Sequence, residues 1–246
     1  MTHKEYIELR ELWSKLVYEK DNHKIQDERI PELESQIKKY NKELIEEYPF
    51  LMPTNKWTDE VDNDFDYEYS ELDAMPDGWR IAFADDLLRE LKEELVKFGY
   101  LDNYKILQIK EKFGTLRWYD AGYSIGKLSD AIERVEVDNW EDKPSTVYNP
   151  DVHWDYLGKI NDKYVFERKD ILDRCKIPDI ISKYEKLSYK TCIICGKPAK
   201  YMSRGWISPY CEDCAREFTS THNEYYKSKH DKEYSIEDYF TEIEDD

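Results

Sequence analysis

The chain lacks the features that mark membrane proteins, secreted proteins and the most familiar classes of enzyme. No apolar run approaches the roughly 20 residues that a membrane-spanning helix needs. The opening MTHKEYIELRELW lacks the basic-then-apolar pattern of a secretory signal. A Walker phosphate loop, a GxGxxG turn, a serine-nucleophile elbow and an HExxH motif are also missing. These absences predict a cytoplasmic protein without a membrane partner, and they leave catalysis without a supporting motif.

Cysteine is scarce, yet four of the five cysteines form two Cys-x-x-Cys pairs. The pairs Cys192/Cys195 and Cys211/Cys214 are separated by 15 residues, a spacing typical of a four-thiolate zinc site. Because four thiolates complete the zinc tetrahedron, the sequence predicts one structural Zn²⁺ and no catalytic water. The remaining Cys175 is interpreted as a small core residue. A secreted chain would tend to pair its cysteines as disulfides, so this usage again favours the cytoplasm.

Positive charge is missing from two stretches of a chain whose net charge is −18. Residues 58–77 contribute −9 and residues 231–246 contribute −7. The rest is nearly neutral, so whole-chain charge does not exclude nucleic-acid binding. We interpret the first stretch as a solvated loop and the second as a loosely ordered tail. Two alternatives for the first are an acidic mimic of nucleic acid and a metal-dependent hydrolase that uses the 59–77 carboxylates, among them Asp62, Asp64, Asp66 and Glu68.

Apolar periodicity predicts an α+β fold that begins with a helical arm. Residues 1–47 carry apolar side chains every three or four positions, which predicts a hairpin of two helices. Such an arm could pack on its own domain or serve as an oligomer contact. Residues 48–187 are predicted to form the core, in which a helix at 79–98 covers antiparallel strands within 104–122. Residues 127–177 are treated as an insertion or an extension of that central sheet.

The remaining parts are a zinc module at 188–230 and an acidic tail at 231–246. A helical pattern follows Cys214, and a second cysteine pair that enters a helix is typical of a treble-clef-like zinc unit. The alternative geometry is ribbon-like.

Three segments together resemble a recurrent set of uncharacterised bacterial and bacteriophage proteins. They are KEKFGTLRWY at 110–119, SYKTCIICGKPAK at 188–200 and GWISPYCEDC at 205–214. The set pairs a KEKFGxLRxY strand motif with a CxxCGxP…GW…CxxC zinc module. The resemblance implies kinship with phage-type proteins and no particular activity. Smaller members of the set lack most of the roughly fifty residues at 127–177.

Two groups of side chains are candidates for ligand binding. The first lies on the predicted strands, where alternation puts Lys110 and Lys112 on one face; its residues are Lys110, Lys112, Arg117, Trp118 and Tyr119. The second lies between the cysteine pairs and consists of Lys200, Arg204 and Trp206. Cations beside aromatic rings suit phosphates and bases, whereas the alternative is a hairpin with one wet face.

The sequence therefore favours a non-enzymatic binding protein, of a phage-type accessory or anti-defence kind. Its predicted partner is a host protein or a small nucleotide signal. The main alternative is a zinc protein that binds nucleic acid through the hairpin between the cysteine pairs.

Overall fold

The computed structural model describes residues 1–23, 27–55, 60–61, 64–97, 101, 104–120, 133–144, 154–168, 176–227 and 233–244. Within these residues the fold combines helices with small antiparallel sheets. The helices are α1 (His3–His23), α2 (Ile30–Glu47), α3 (Asp77–Lys97), α4 (Ile177–Tyr189), α5 (Glu212–Lys227) and the single turn α6 (Ile236–Tyr239). The strands are β1 (Ile106–Lys112), β2 (Thr115–Asp120), β3 (Glu133–Val137), β4 (Asp155–Ile160), β5 (Lys163–Arg168), β6 (Tyr201–Ser203), β7 (Pro209–Tyr210) and β8 (Phe240–Glu242). None of the helices described is long and apolar enough to cross a bilayer.

Helices α1 and α2 pack against each other through the apolar residues that recur along both. The rings of Tyr6 and Tyr40 stack with centroids 4.2 Å apart, and Ile37 packs beside them. A second small cluster contains Leu16 and Leu33. Pro31 lies in the first turn of α2, where its missing N–H costs no helical hydrogen bond.

The main core is organised around α3. The residues predicted to face inward are almost completely buried: Trp79, Phe83, Leu87, Leu91 and Leu95. They share one cluster with Ile109 and Leu116 of the β1–β2 hairpin and with Tyr184 of α4. Helix α3 and the predicted hairpin therefore contribute to one core, and α4 packs against both α3 and β2.

Strands β1 and β2 form an antiparallel hairpin closed by a two-residue turn. Phe113 and Gly114 have φ of 54° and 77°, the left-handed pair that suits the right-handed twist of a hairpin. Helix α4 covers the outer edge of β2, since the Leu116 N–H donates to the Ser188 hydroxyl at 2.8 Å and the Trp118 N–H donates to the Glu185 carboxylate at 3.3 Å. The hairpin is thus a two-stranded sheet with one edge capped by a helix.

Strands β3, β5 and β4 form a separate antiparallel sheet, in that order, within the predicted insertion. Trp140, Tyr156 and Phe166 pack together there with ring centroids 5.0–5.6 Å apart. Among the described residues this sheet does not extend β1–β2. Cys175 and residues 127–132 lie outside the described residues.

The prediction of a loosely ordered tail is wrong for residues 236–242. Strand β8 pairs with β6, and Phe240 is buried against Tyr201 and Ala215. The acidic composition of the tail gave no indication that Phe240 packs in this small apolar cluster. A bond from the Arg204 N–H to the Tyr239 carbonyl at 2.7 Å adds to the attachment.

Candidate metal centre

Two short segments bring the four cysteines together. Cys192 and Cys195 lie in the turn that follows α4, while Cys211 and Cys214 lie at the start of α5. Their Sγ atoms all lie within 4.8 Å of one another, so the set could hold a metal ion. Within the described part of the chain this is the only such group of His, Cys, Asp or Glu side chains.

The first cysteine pair is held by a tight backbone turn. The Gly196 N–H donates to the Cys192 carbonyl at 3.0 Å, and the Cys192 N–H donates to the Lys197 carbonyl at 2.8 Å. Gly196 has φ of 77°, a conformation that residues with a Cβ rarely adopt. A Cβ there would also lie 2.6 Å from the Gly78 carbonyl oxygen, so glycine is required on two counts.

The second pair is fixed against the first through β7. The Ile193 N–H donates to the Pro209 carbonyl at 2.9 Å, and the Lys200 N–H donates to the Tyr210 carbonyl at 2.9 Å. The Ala215 N–H then donates to the Cys211 carbonyl at 3.0 Å as α5 begins. The two cysteine turns therefore belong to one hydrogen-bonded unit.

The cysteine unit is joined directly to the start of α3. The Gly78 N–H donates to the Ile193 carbonyl at 2.9 Å, and the buried Trp79 indole N–H donates to the Thr191 carbonyl at 2.9 Å. A Cβ on Gly78 would lie 2.2 Å from the Cys192 carbonyl oxygen. No spacing rule in the sequence relates Gly78 to cysteines more than a hundred residues later, so this joint was not predicted.

Burial and nearby charge both act on the cysteine unit. Burial raises the pKa of the Cys195 and Cys214 thiols, so a bound cation would be needed to keep them as thiolates. At the exposed rim, the Lys197 ammonium lies 2.7 Å from the Asp213 carboxylate, whose hydrogen bond raises the pKa of Lys197.

The predicted cations of the hairpin do share a face, but they are not equally free. Lys110 lies opposite Arg117 in the strand register, and its ammonium lies 5.2 Å from the centre of the Tyr119 ring. Arg117, however, lies 3.7 Å from the Glu185 carboxylate of α4, which offsets its charge. Lys112 is exposed, with its ammonium over Phe113.

Trp118 does not belong to that face, which corrects its assignment as a ligand-binding residue. It alternates with Arg117 and Tyr119 along β2 and therefore points into the core. Only 4% of it is exposed, and its indole N–H donates to the Tyr104 hydroxyl at 3.0 Å.

The three residues predicted between the cysteine pairs also separate. Lys200 lies 3.3 Å from Glu212 and 3.8 Å from Glu242, so its charge is offset. Arg204 is exposed, and its side chain forms no ion pair within the described residues. Trp206 is 81% exposed, while its indole N–H donates to the Glu111 carboxylate of β1 at 3.0 Å.

The turn of the β1–β2 hairpin therefore lies next to the β6–β7 hairpin. A Cβ on Gly114 would lie 3.0 Å from the Met202 sulfur and 3.5 Å from an Ile207 methyl carbon. Phe113, which is 67% exposed, and Ile207 add apolar surface here, and neither residue was predicted from the sequence as part of a binding site. We call this region the tip surface; it consists of Lys112, Phe113, Arg204, Trp206 and Ile207.

The acidic candidates for a hydrolase site have other partners or lie outside the described residues. Asp66 and Glu68 both lie within 4.0 Å of the Lys38 ammonium, at 2.5 and 3.9 Å. Asp62 belongs to the part of the chain that the structure does not describe.

Comparison with known proteins adds no relative that could supply a function. No protein-family model, curated protein sequence or solved structure matches this chain.

Proposed function

We propose that the four cysteines hold one structural zinc ion. The supporting observation is the mutual approach of four sulfur atoms from two turns, which suits tetrahedral thiolate coordination. Four protein ligands leave no open position, so the ion stabilises the fold and does not activate water. The short β6–β7 hairpin followed by α5 agrees with a treble-clef-like unit. Elemental analysis of purified protein should give one zinc per chain, and a Cys211→Ser variant should give less.

For the protein as a whole we propose a non-enzymatic binding function, with a nucleotide-containing ligand held at the tip surface. The observation that carries this proposal is Trp206. Its ring is largely exposed, yet its N–H is bonded to Glu111, so the indole is held in place with a face toward solvent. An oriented and exposed ring is a suitable platform for stacking a base.

The cations around the platform suit the phosphate groups of the same ligand. The Lys112 ammonium lies over the Phe113 ring, and Arg204 precedes Trp206 by two residues. Lys110 lies two residues before Lys112 on the same face of β1. Lys110 and Lys112 lie on the opposite face of the hairpin from Glu111, which binds Trp206. A ligand that contacts all three cations must pass around the hairpin tip, so a short single strand fits better than a mononucleotide.

The protein's acidity limits the strength of this binding. Three available cations correspond to a slope of log K against log salt of about −2 for a single strand. The stacking interaction, which contributes about 1–3 kcal/mol per base, should therefore supply much of the affinity. The resemblance to phage-type proteins makes an accessory or anti-defence role the biological setting that we propose.

Fluorescence anisotropy can test the assignment with three labelled probes: single-stranded DNA, single-stranded RNA and a cyclic dinucleotide. We expect Trp206→Ala to weaken oligonucleotide binding about tenfold or more, in line with the loss of one stacked base. Tyr225→Ala is the matched control, because Tyr225 is an exposed aromatic residue on α5 away from the tip surface. Lys200→Ala should have little effect, since Lys200 is already paired. Tight binding of the dinucleotide alone would identify a small signal, whereas no binding of any probe at low salt would refute the nucleotide ligand.

A protein partner is the second candidate, and the apolar part of the tip surface favours it. Phe113 and Ile207 are exposed apolar residues next to the exposed Trp206, and aromatic residues are enriched at the centres of protein interfaces. If the probes fail to bind, a Trp206→Ala variant should lose a host protein that co-purifies with the wild type, whereas Tyr225→Ala should retain it.

A further inference from the structure

Arg80 of α3 is a buried cation with incomplete hydrogen bonding. It is only 2% exposed, its Nη1 atom lies 2.5 Å from the Asp73 carboxylate, and its Nε donates to His3 Nδ1 at 3.2 Å. Its guanidinium carbon lies 4.5 Å from the centre of the Tyr6 ring. The Nη2 atom, in contrast, has no hydrogen-bond partner among the described residues. A buried donor without an acceptor is unfavourable by about 1–3 kcal/mol, and by more where the group is charged.

Arg80 is among the residues that line a cleft of about 590 Å³ between α1 and the beginning of α3. We call it the Arg80 cleft. The residues of α1 that line it include Arg10, Ser14, Lys15 and Tyr18, and Asp73 lies beside Arg80 on the other side. Guanidinium, ammonium, hydroxyl and phenol groups can all donate hydrogen bonds to an anion. The cleft is about the size of a small-molecule site.

We propose that the Arg80 cleft binds the anionic group, a carboxylate or a phosphate, of a small organic molecule. Arg80 and Lys15 would donate to the anion, and Arg10 would support it from the same wall. The site is separate from the tip surface, so the proposal does not depend on the proposed function.

Asp73 is the acid that pairs directly with Arg80. Asp73 is occupied, because it accepts from Arg80 and also from Arg10 at 2.7 Å, the Tyr6 hydroxyl at 3.3 Å and the Ser70 N–H at 2.8 Å. One carboxylate thus serves two guanidinium groups.

Two further acids line the cleft, so an anion must be held by specific donors and not by an excess of positive charge. Glu11 is exposed to solvent on α1, where screening is strong. Asp77 lies at the beginning of α3, and burial raises the pKa of its carboxyl. Lys15 adds a second cation with no ion-pair partner among the described residues.

An NMR titration can test the proposal with inorganic phosphate and acetate as separate probes at constant ionic strength. We expect the Arg80 side-chain Nε–H signal to shift saturably with at least one probe, and the stronger probe identifies the anion class. An equal, non-saturating shift with chloride would contradict a specific site. Absence of any shift with both probes would also overturn the proposal.

Variants on α1 test the site without disturbing the buried arginine. Lys15→Ala should weaken binding of the stronger probe about tenfold, which matches the loss of one hydrogen bond to a charged group. Lys20→Ala, an exposed lysine farther along α1, is the matched control and should leave the affinity within about twofold. Equal effects of the two variants would show that the shift reports net charge and not the Arg80 cleft.

Discussion

Successive residues at the start of α3 join two different parts of the molecule by different physical means. Gly78 and Trp79 attach the cysteine unit through backbone carbonyls, with the glycine too close to Cys192 for any side chain. Arg80 attaches the α1–α2 hairpin through charge, by way of His3 and Asp73. We call these the cysteine joint and the arginine joint.

The comparison shows that neighbouring residues in one helix can depend on separate conditions. The cysteine joint is directional and closely packed, and under our proposal it depends on a bound metal. The arginine joint consists of buried charged and polar groups, so it depends on protonation and on every partner remaining in place. Metal removal at neutral pH should therefore weaken the cysteine joint and leave the arginine joint in place. Acid acts on both joints, because it also protonates the thiolates that would hold the metal.

Metal removal is expected to have the largest effect. The free energy of binding structural zinc is of order 10 kcal/mol, and it is available only to the folded site. A strong chelator at neutral pH should abolish the cooperative unfolding of the cysteine unit, as followed by circular dichroism during heating. Re-addition of zinc should restore it. A melting curve that the chelator leaves unchanged would contradict a structural metal.

Among substitutions that add one methyl group to the cysteine joint, Gly78→Ala should lower the free energy of unfolding the most. The new Cβ would lie 2.2 Å from a backbone oxygen that has no freedom to rotate away. We expect a loss of unfolding free energy of at least about 3 kcal/mol, measured by urea denaturation. Gly205→Ala is the control, since a Cβ there meets no atom within 4 Å and only its φ of 89° is strained. If the two variants lower the free energy of unfolding equally, close packing of Gly78 against the Cys192 carbonyl does not explain the stability of the cysteine joint.

Asp73→Asn should damage the arginine joint. It removes the negative charge shared by Arg80 and Arg10 and leaves buried positive charge uncompensated. The expected loss of unfolding free energy, measured by urea denaturation, is about 3 kcal/mol. Asp86→Asn removes an exposed carboxylate that pairs with Arg89, so its effect should stay below about 1 kcal/mol.

Acid should weaken the arginine joint further, through His3. Burial, followed by the nearby Arg80 charge, lowers the pKa of His3 from 6.5 to about 4. As the pH falls from 6.5 towards 4, the unfolded chain takes up a proton that the folded chain resists, so stability is lost across that window. The loss is at most about 3.5 kcal/mol, because 6.5 and 4 differ by about 2.5 and one pKa unit corresponds to about 1.4 kcal/mol. His3→Asn should flatten this part of the pH dependence, and an unchanged slope would contradict the assignment.

The helices could be predicted from the periodicity of apolar residues, and the cysteine set could be predicted from the spacing of its two Cys-x-x-Cys pairs. The apolar residues of α3 recur every four positions, which predicts both the helix and its buried face. Two Cys-x-x-Cys pairs predict a common site because few other arrangements need that spacing. These inferences use only residues that are close in sequence or that act as identical ligands.

The joints and the tip surface could not be predicted in the same way. Gly78 meets Cys192 only through tertiary packing, and no local sequence pattern distinguishes a glycine that packs against a distant backbone from one in an ordinary turn. Trp118 is a different case, because strand alternation, applied to it as it was to Lys110 and Lys112, places it on the opposite face from Arg117 and Tyr119. The packing of Phe240 was not predicted, because the average acidic composition of the tail gives no weight to the few apolar residues that pack there beside the β6–β8 pair.

Hydrogen–deuterium exchange on chelated protein at neutral pH tests the central comparison most directly. We expect faster exchange in residues 188–216 and in the first turns of α3, while α1 and α2 keep their protection. Unchanged protection of the first turns of α3 would contradict the cysteine joint. Simultaneous loss of protection in α1 and α2 would show that the two joints are not independent.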